Sequence, residues 1–401
     1  MPEYFSGRMV IMLKRSVVGL SSRGRRSLVR EATPKSLKVA SFWHGLEALE
    51  PRILLHGLLP DNPDHHDIFD PQDASQIQSN VQKLSQVTLS NIPGRSHSAN
   101  DLWGYVSPSG REYAVLGIAR GIAFVEVTEP RHPKVVAFVP GLDDQVDDRP
   151  CKLCLRDMKV YDQYAYVTNE RFSTGEFVLS GGGGVQIIDL TQIDQESVVE
   201  IGTLTQDGLD TAHNIAVNLE SGFAYVLGAN IANGGLVAID LATDPTNPRI
   251  VGTWSELYIH DAEVVSYNDG PFAGREIAFG FAGLEGIKII DVTDKANIFT
   301  MATETYPNIT YAHYGALSED RNYLFVDDEL DELFNDDVTM TTTYVLDVQD
   351  LGNPQFVTSF SNGLPASDHN LRIRGDLLFE ANYRSGLRIF DVSDVHQVHE
   401  V

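Results

Sequence analysis

The chain has 401 residues, 42% of them hydrophobic, with 33 glycines, 18 prolines and only six methionines, a composition suited to many short strands and tight turns. Its formal net charge of −26 argues against nucleic acid or an anionic membrane as a partner and favours cations. No run of 18 apolar residues occurs, which excludes a membrane-spanning helix.

Residues 1–40 are a basic leader, in which nine Lys and Arg stand against Glu3 and Glu31. Its Ser-rich composition offers little to bury, so disorder is expected there. The apolar run MVIML (9–13) is too short for a secretory signal core, and Arg25-Arg26 lacks the hydrophobic stretch of a twin-arginine signal. Residues 41–60 carry the segment GLEALEPRILLHG, 61–80 read as a linker, and strand-forming sequence runs from 81 to 401. Cys151 and Cys154 form the chain's only CxxC. Half a zinc site needs a second pair, and a thioredoxin-like motif belongs at a helix start, whereas RPCKLCLRDMKVYDQYAYV leads into strands. A local disulfide in an exported protein fits best.

The body repeats. GIAFVEVTEP (121–130), GVQIIDLTQI (184–193), GLVAIDLATD (235–244), GIKIIDVTDK (286–295), TYVLDVQDLG (343–352) and GLRIFDVSDV (386–395) place Glu126, Asp189, Asp240, Asp291, Asp347 and Asp391 at one position, 44 to 63 residues apart. An aromatic-rich run such as FAYVLG precedes most copies, and upstream of it lies a strand opened by a polar pair: AHNIAVN, IHDAEVVSY, AHYGALS or DHNLRIR. A proline-bounded run such as NPRIVGTW follows several copies. Each copy thus predicts four antiparallel strands with no helical period. One such sheet cannot bury both faces alone, so the copies are expected to pack face to face around an axis as an all-β propeller of six four-stranded blades. The recurring acid, followed by Thr or Ser and Asp, is expected to lock a turn by accepting backbone hydrogen bonds.

The segments DLWGYVSPSGREYAVLG, RDMKVY, AHNIAVNLESGFAYVLGAN, HDAEVV, LFVDDELDE, TTTYVLDVQD and DHNLRIRGDLLFEANYRSGLRIFDVSD, in order over about residues 82–395, resemble the LVIVD-repeat propellers of the choice-of-anchor B family. That resemblance implies sorting to the cell surface or exterior, and a seventh strand group that is missing or truncated here. It brings no catalytic residues. The segment VQKLSQVTLSNI (81–92) is a candidate outer strand for the last blade, locking the ring. Leu49-Glu50-Pro51-Arg52-Ile53-Leu54-Leu55 resembles the LEPR-XLL segment of exported bacterial proteins, which again implies export.

The openings of the first strands share one face of such a ring with the ends of the second strands. Onto that face fall Asp157, His213, His260, Asp261, His313 and His369, the candidate metal ligands, with Asp101, Asp368, Glu170, Asn230, Asn382 and the acidic run 327–337 nearby. One reading has these groups capping strand ends. The other has them binding a divalent metal: imidazoles with carboxylates suit zinc, manganese or iron, and carboxylates with carbonyls suit calcium. Gly181–Gly184 lacks the Lys-Ser/Thr of a phosphate loop, GFAGLEG (280–286) is followed by no helix, and neither HExxH nor GxSxG occurs. Two functions remain: an exported module binding a protein, glycan or small ligand, or a metal-dependent hydrolase of lactonase or phosphoesterase type at the same mouth.

Overall fold

A computed structural model describes residues 82–94, 99–142, 154–173, 176–177, 182–383 and 385–401. The basic leader, the LEPR-XLL-like segment, the linker and Cys151 lie outside the described residues. Six four-stranded antiparallel sheets form a ring. Blade one comprises Ala99–Val106, Glu112–Ile118, Gly121–Glu126 and Lys134–Pro140, and blade two Met158–Tyr161, Tyr164–Val167, Val185–Asp189 and Val199–Leu204. Blade three is Asn214–Asn218, Phe223–Leu227, Leu236–Asp240 and Arg249–Trp254; blade four is Asp261–Tyr267, Arg275–Phe281, Ile287–Asp291 and Phe299–Glu304. Blade five is Ala312–Leu317, Tyr323–Asp328, Thr342–Asp347 and Gln355–Ser361; blade six is Asn370–Arg374, Leu377–Asn382, Gly386–Asp391 and His399–Glu400. Among the described residues the one α-helix is Asp331–Phe334. No helix there is long and apolar enough to cross a membrane.

Alternation within a strand explains the packing. In FAYVL, Ala224 and Val226 enter an apolar cluster shared with blade two, whereas Tyr225 and Leu227 enter one shared with blade four. A middle strand buried on both faces therefore reads as a continuous apolar run. Each fully buried Val, Leu or Phe in such a strand stabilises the fold by roughly 1.5–3 kcal/mol. Gly184 and Gly286 open third strands at φ +85° and +77°, where a Cβ would meet the carbonyl oxygens of Leu204 and Glu304 at 2.2 and 2.3 Å. Only glycine allows that turn and that approach.

The recurring aspartate locks the turn after the third strand in blades two to six. Asp189, Asp291, Asp347 and Asp391 each accept the backbone N–H two residues on, at 2.7–3.0 Å, and Asp240 accepts that of Thr243 at 3.0 Å. Glu126 instead pairs with Arg111.

The described residues build the six blades that the repeats predict. One expectation needs correction. The outer strand of blade six is His399–Glu400, from the C-terminal end, and residues 82–92 contribute no strand to it. Val87, Leu89 and Ile92 instead cover the face of blade one made by Leu116, Ile118 and Ala123. Among the described residues no apolar cluster joins blade six to blade one. Arg372 of blade six reaches across that seam, its guanidinium 5.5 Å from the Trp103 ring of blade one.

Candidate functional site at one end of the axis

Consecutive first strands lie side by side around the axis, so the residues that open them meet at one end. Counted through the strand registers, the position of His213 is filled by Asn100 in blade one, Arg156 in blade two, His260 in blade four, His313 in blade five and His369 in blade six. The structure brings the four imidazoles into an arc with ring centres 4.4, 4.3 and 4.4 Å apart in blade order. His213, His260 and His313 are buried, and His369 keeps 21% of its side chain exposed.

Neighbouring carboxylates and a backbone carbonyl fix three of the rings. His213 Nδ1 meets Glu170 Oε2 at 2.6 Å, His260 Nδ1 meets the His313 carbonyl at 3.1 Å, and His313 Nδ1 meets Asp327 Oδ1 at 3.0 Å. An imidazole that donates through Nδ1 presents the lone pair of Nε2. His313 Nε2 lies 3.6 Å from Glu329 Oε2, and His369 Nε2 lies 3.7 Å from Glu329 Oε1. The Tyr383 hydroxyl donates to the same Glu329 carboxylate. One atom from each of His313, Glu329 and His369 falls within 4.8 Å of the others. A tetrahedral ion with bonds of about 2.0–2.1 Å sets its ligands roughly 3.3 Å apart, so a small inward adjustment would close the three around a metal.

The two aspartates expected with the histidines stand elsewhere. Asp157 occupies the position after Arg156. Its carboxylate accepts the N–H groups of Met158 and Ile215 and takes Lys159 Nζ at 2.6 and 2.8 Å. It is a strand cap paired with an ammonium, not part of the imidazole arc. Asp261 occupies the matching position in blade four, where it accepts the Ala262 N–H at 2.6 Å. Burial pushes its carboxyl up to about 6 against the opposing pull of Lys159.

Sequence reasoning named Glu170 and the 327–337 run on this face but gave them no role. Asp327 is buried, and burial, with Glu380 and Glu329 nearby, holds its carboxyl well above the usual range. Farther along the same run, one oxygen each of Asp331, Glu332 and Asp368 lies within 4.8 Å of the others. Burial raises all three carboxyls; Asp328 pushes Asp331 up further while its hydrogen bond with Glu332 pulls it down, Asp331 raises Glu332, and both raise Asp368. Asp328, between the two groups, is satisfied by the Tyr306 hydroxyl and the N–H groups of Thr310 and Tyr311 at 2.6–2.9 Å.

No protein-family model and no curated protein matches the chain. Solved propellers do. A periplasmic gluconolactonase from Pseudomonas aeruginosa superposes with TM-score 0.53 at 13% identity, over 76% of this chain and 85% of that one. A candidate 6-phosphogluconolactonase from Bacteroides uniformis gives TM-score 0.51 at 13% identity, over 74% and 83%. A hypothetical selenium-binding protein from Sulfolobus tokodaii gives 0.51 at 12%, over 74% and 76%. At such identities the likeness establishes the fold alone: this chain is a six-bladed β-propeller with a histidine arc closing one end of its axis.

Proposed function

We propose that the propeller is a binding module that holds a divalent metal of the zinc or manganese type through His313 Nε2, Glu329 and His369 Nε2, and offers the remaining coordination positions to a small ligand. The observation that carries this reading is the carboxylate–histidine pairing of Asp327 with His313 Nδ1, which leaves Nε2 facing Glu329. A metal-bound histidine characteristically has its other nitrogen held by such a partner. Mixed imidazole and carboxylate donors suit a borderline ion better than calcium.

The test uses full-length protein stripped with a chelator and titrated with Zn²⁺ in a calorimeter. One ion per chain is expected, with loss of binding in His313→Ala and in His369→Ala while the β circular dichroism of both persists. Protons compete for imidazole, so uptake is expected to weaken on acidification. A wild-type chain that takes up no metal, or variants that bind as well as it does, would overturn the reading.

Hydrolysis is the second reading, favoured by the number of protein ligands. Three ligands, one of them partly exposed, leave a position where a metal can acidify water. Two of the neighbouring folds bear lactonase names, so a sugar lactone is the natural first probe, and turnover should vanish with the metal. Membership of the LVIVD-repeat propellers and export to the cell exterior belong to the same proposal. They rest on the resemblances of 82–395 and 45–57.

A further inference from the structure

Blade five carries a second group of acids that the histidine arc does not use. Asp331 and Asp368 are fully buried. Each has one oxygen engaged: Asp331 Oδ2 accepts the Tyr344 hydroxyl at 2.7 Å, and Asp368 Oδ2 accepts the Thr342 N–H at 3.2 Å. The other oxygen of each, Oδ1, is shielded from solvent and takes no donor from outside the group, and neither do the two shielded oxygens of Glu332, which hydrogen-bonds only to Asp331. Among the described residues no Lys, Arg or His forms an ion pair with any of the three. Four buried carboxylate oxygens with no donor from outside the group, in three side chains that converge within 4.8 Å, form an arrangement a protein does not keep without compensation.

We propose that Asp331, Glu332 and Asp368 form a second, all-oxygen cation site that takes Ca²⁺. Calcium bonds of about 2.3–2.6 Å place opposite ligands up to roughly 5 Å apart, which spans the observed separations. Zinc, with shorter bonds and a preference for nitrogen or sulfur, fits this donor set less well. Neighbouring Asp328 is already saturated with donors and is not a ligand. The ion would join the loop after the second strand of blade five to the segment that leads into blade six. Those are the two stretches that also present Glu329 and His369. The site stands on its own oxygens and does not require a metal at the histidines.

Terbium luminescence tests it on the full-length, chelator-treated chain, because Tb³⁺ takes calcium's oxygen ligands and Tyr306 and Tyr344 are close enough to sensitise it. Saturable Tb³⁺ emission, displaced by Ca²⁺ and accompanied by a Ca²⁺-dependent rise in melting temperature, is expected for the wild type. Glu332→Gln, at a half-buried position that should fold, is expected to lose both effects. Asp368→Asn serves as a second variant, read in the same way. His313→Ala is expected to keep them, which separates this site from the histidine one. Wild-type protein with no displaceable emission, or Glu332→Gln binding Ca²⁺ as the wild type does, would overturn the proposal.

Discussion

The end of the axis that carries the histidines has two unlike halves. In blades one and two, the carboxylates of Asp101 and Asp157 gather around one ammonium: Lys159 Nζ is 2.6 Å from Asp157 and 3.9 Å from Asp101, and lies 4.9 Å from the Trp103 ring centre. Arg156 fills the register position that histidine holds in blades three to six, and its guanidinium donates to the carbonyls of Ile118 and Ala119. In blades five and six, Asp327 and Glu329 face imidazoles, and Asp331, Glu332 and Asp368 face one another. The same blade geometry thus brings its own cation to one half and concentrates carboxylates with imidazoles in the other. Buried carboxylates need a positive partner. Where the chain supplies one the sector is structural, and where it does not, the proposed ions would supply the missing charge.

The largest effect should come from removing the built-in cation. Lys159→Met leaves the Asp157 carboxylate buried and unpaired, at a cost of about 3–5 kcal/mol by the usual measure of broken buried pairs. Denaturant unfolding would measure it. Asp157→Asn combined with Lys159→Met should cost much less than the two single changes summed, since the pair leaves together. If Lys159→Met were neutral, the first half would not be held by its ion pair.

An intermediate effect is expected on the other side. Asp327→Ala removes the acceptor that orients His313, so Zn²⁺ affinity should fall roughly 10–100-fold. Lys159→Met should not weaken zinc binding comparably in protein that remains folded. Equal losses in both variants would erase the distinction between the halves.

The smallest effect concerns Asp101, whose carboxyl is pushed up to about 7 by burial first and by Asp157 second. A third of its side chain remains exposed, which limits the consequence. An acid raised in the fold holds its proton more tightly there than in the open chain. Its contribution is therefore full below about pH 4 and is lost as pH climbs through about 7. Asp101→Asn mimics the protonated acid, so its advantage in melting temperature over the wild type should be larger at pH 8 than at pH 5. A constant difference across that range would mean Asp101 does not titrate as its surroundings require.

Local chemistry was the legible part. The turn acids could be read from sequence because an aspartate reaches a backbone N–H two residues on, whatever the rest of the chain does. The histidines of blades three to six could be aligned because strand alternation carries equivalent side chains the same way. In blade two, RDMKVY offers a basic and an acidic residue side by side. Only the pairing of Met158 with Val167 shows that Arg156, not Asp157, holds the histidine position. A one-residue slip there reverses the face. Glu170, Asp327 and Glu329 were legible as acids on the right face but not as partners, because Glu170 and Glu329 meet a histidine of the next blade only in the ring and Asp327 meets His313 across a shifted register in its own blade. The closing strand His399–Glu400 is too short to leave a periodic signal.

In the proposed function, one half of this axial end takes an ion where the other half carries Lys159. Anomalous diffraction at the zinc edge from crystals of the full-length chain equilibrated with Zn²⁺ measures it most directly. The expected map has one peak bounded by His313 Nε2, the Glu329 carboxylate and His369 Nε2, with none beside Lys159, Asp101 or Asp157. A map with no peak at the histidines, or with its peak among the carboxylates around Lys159, would rule out the proposed metal site.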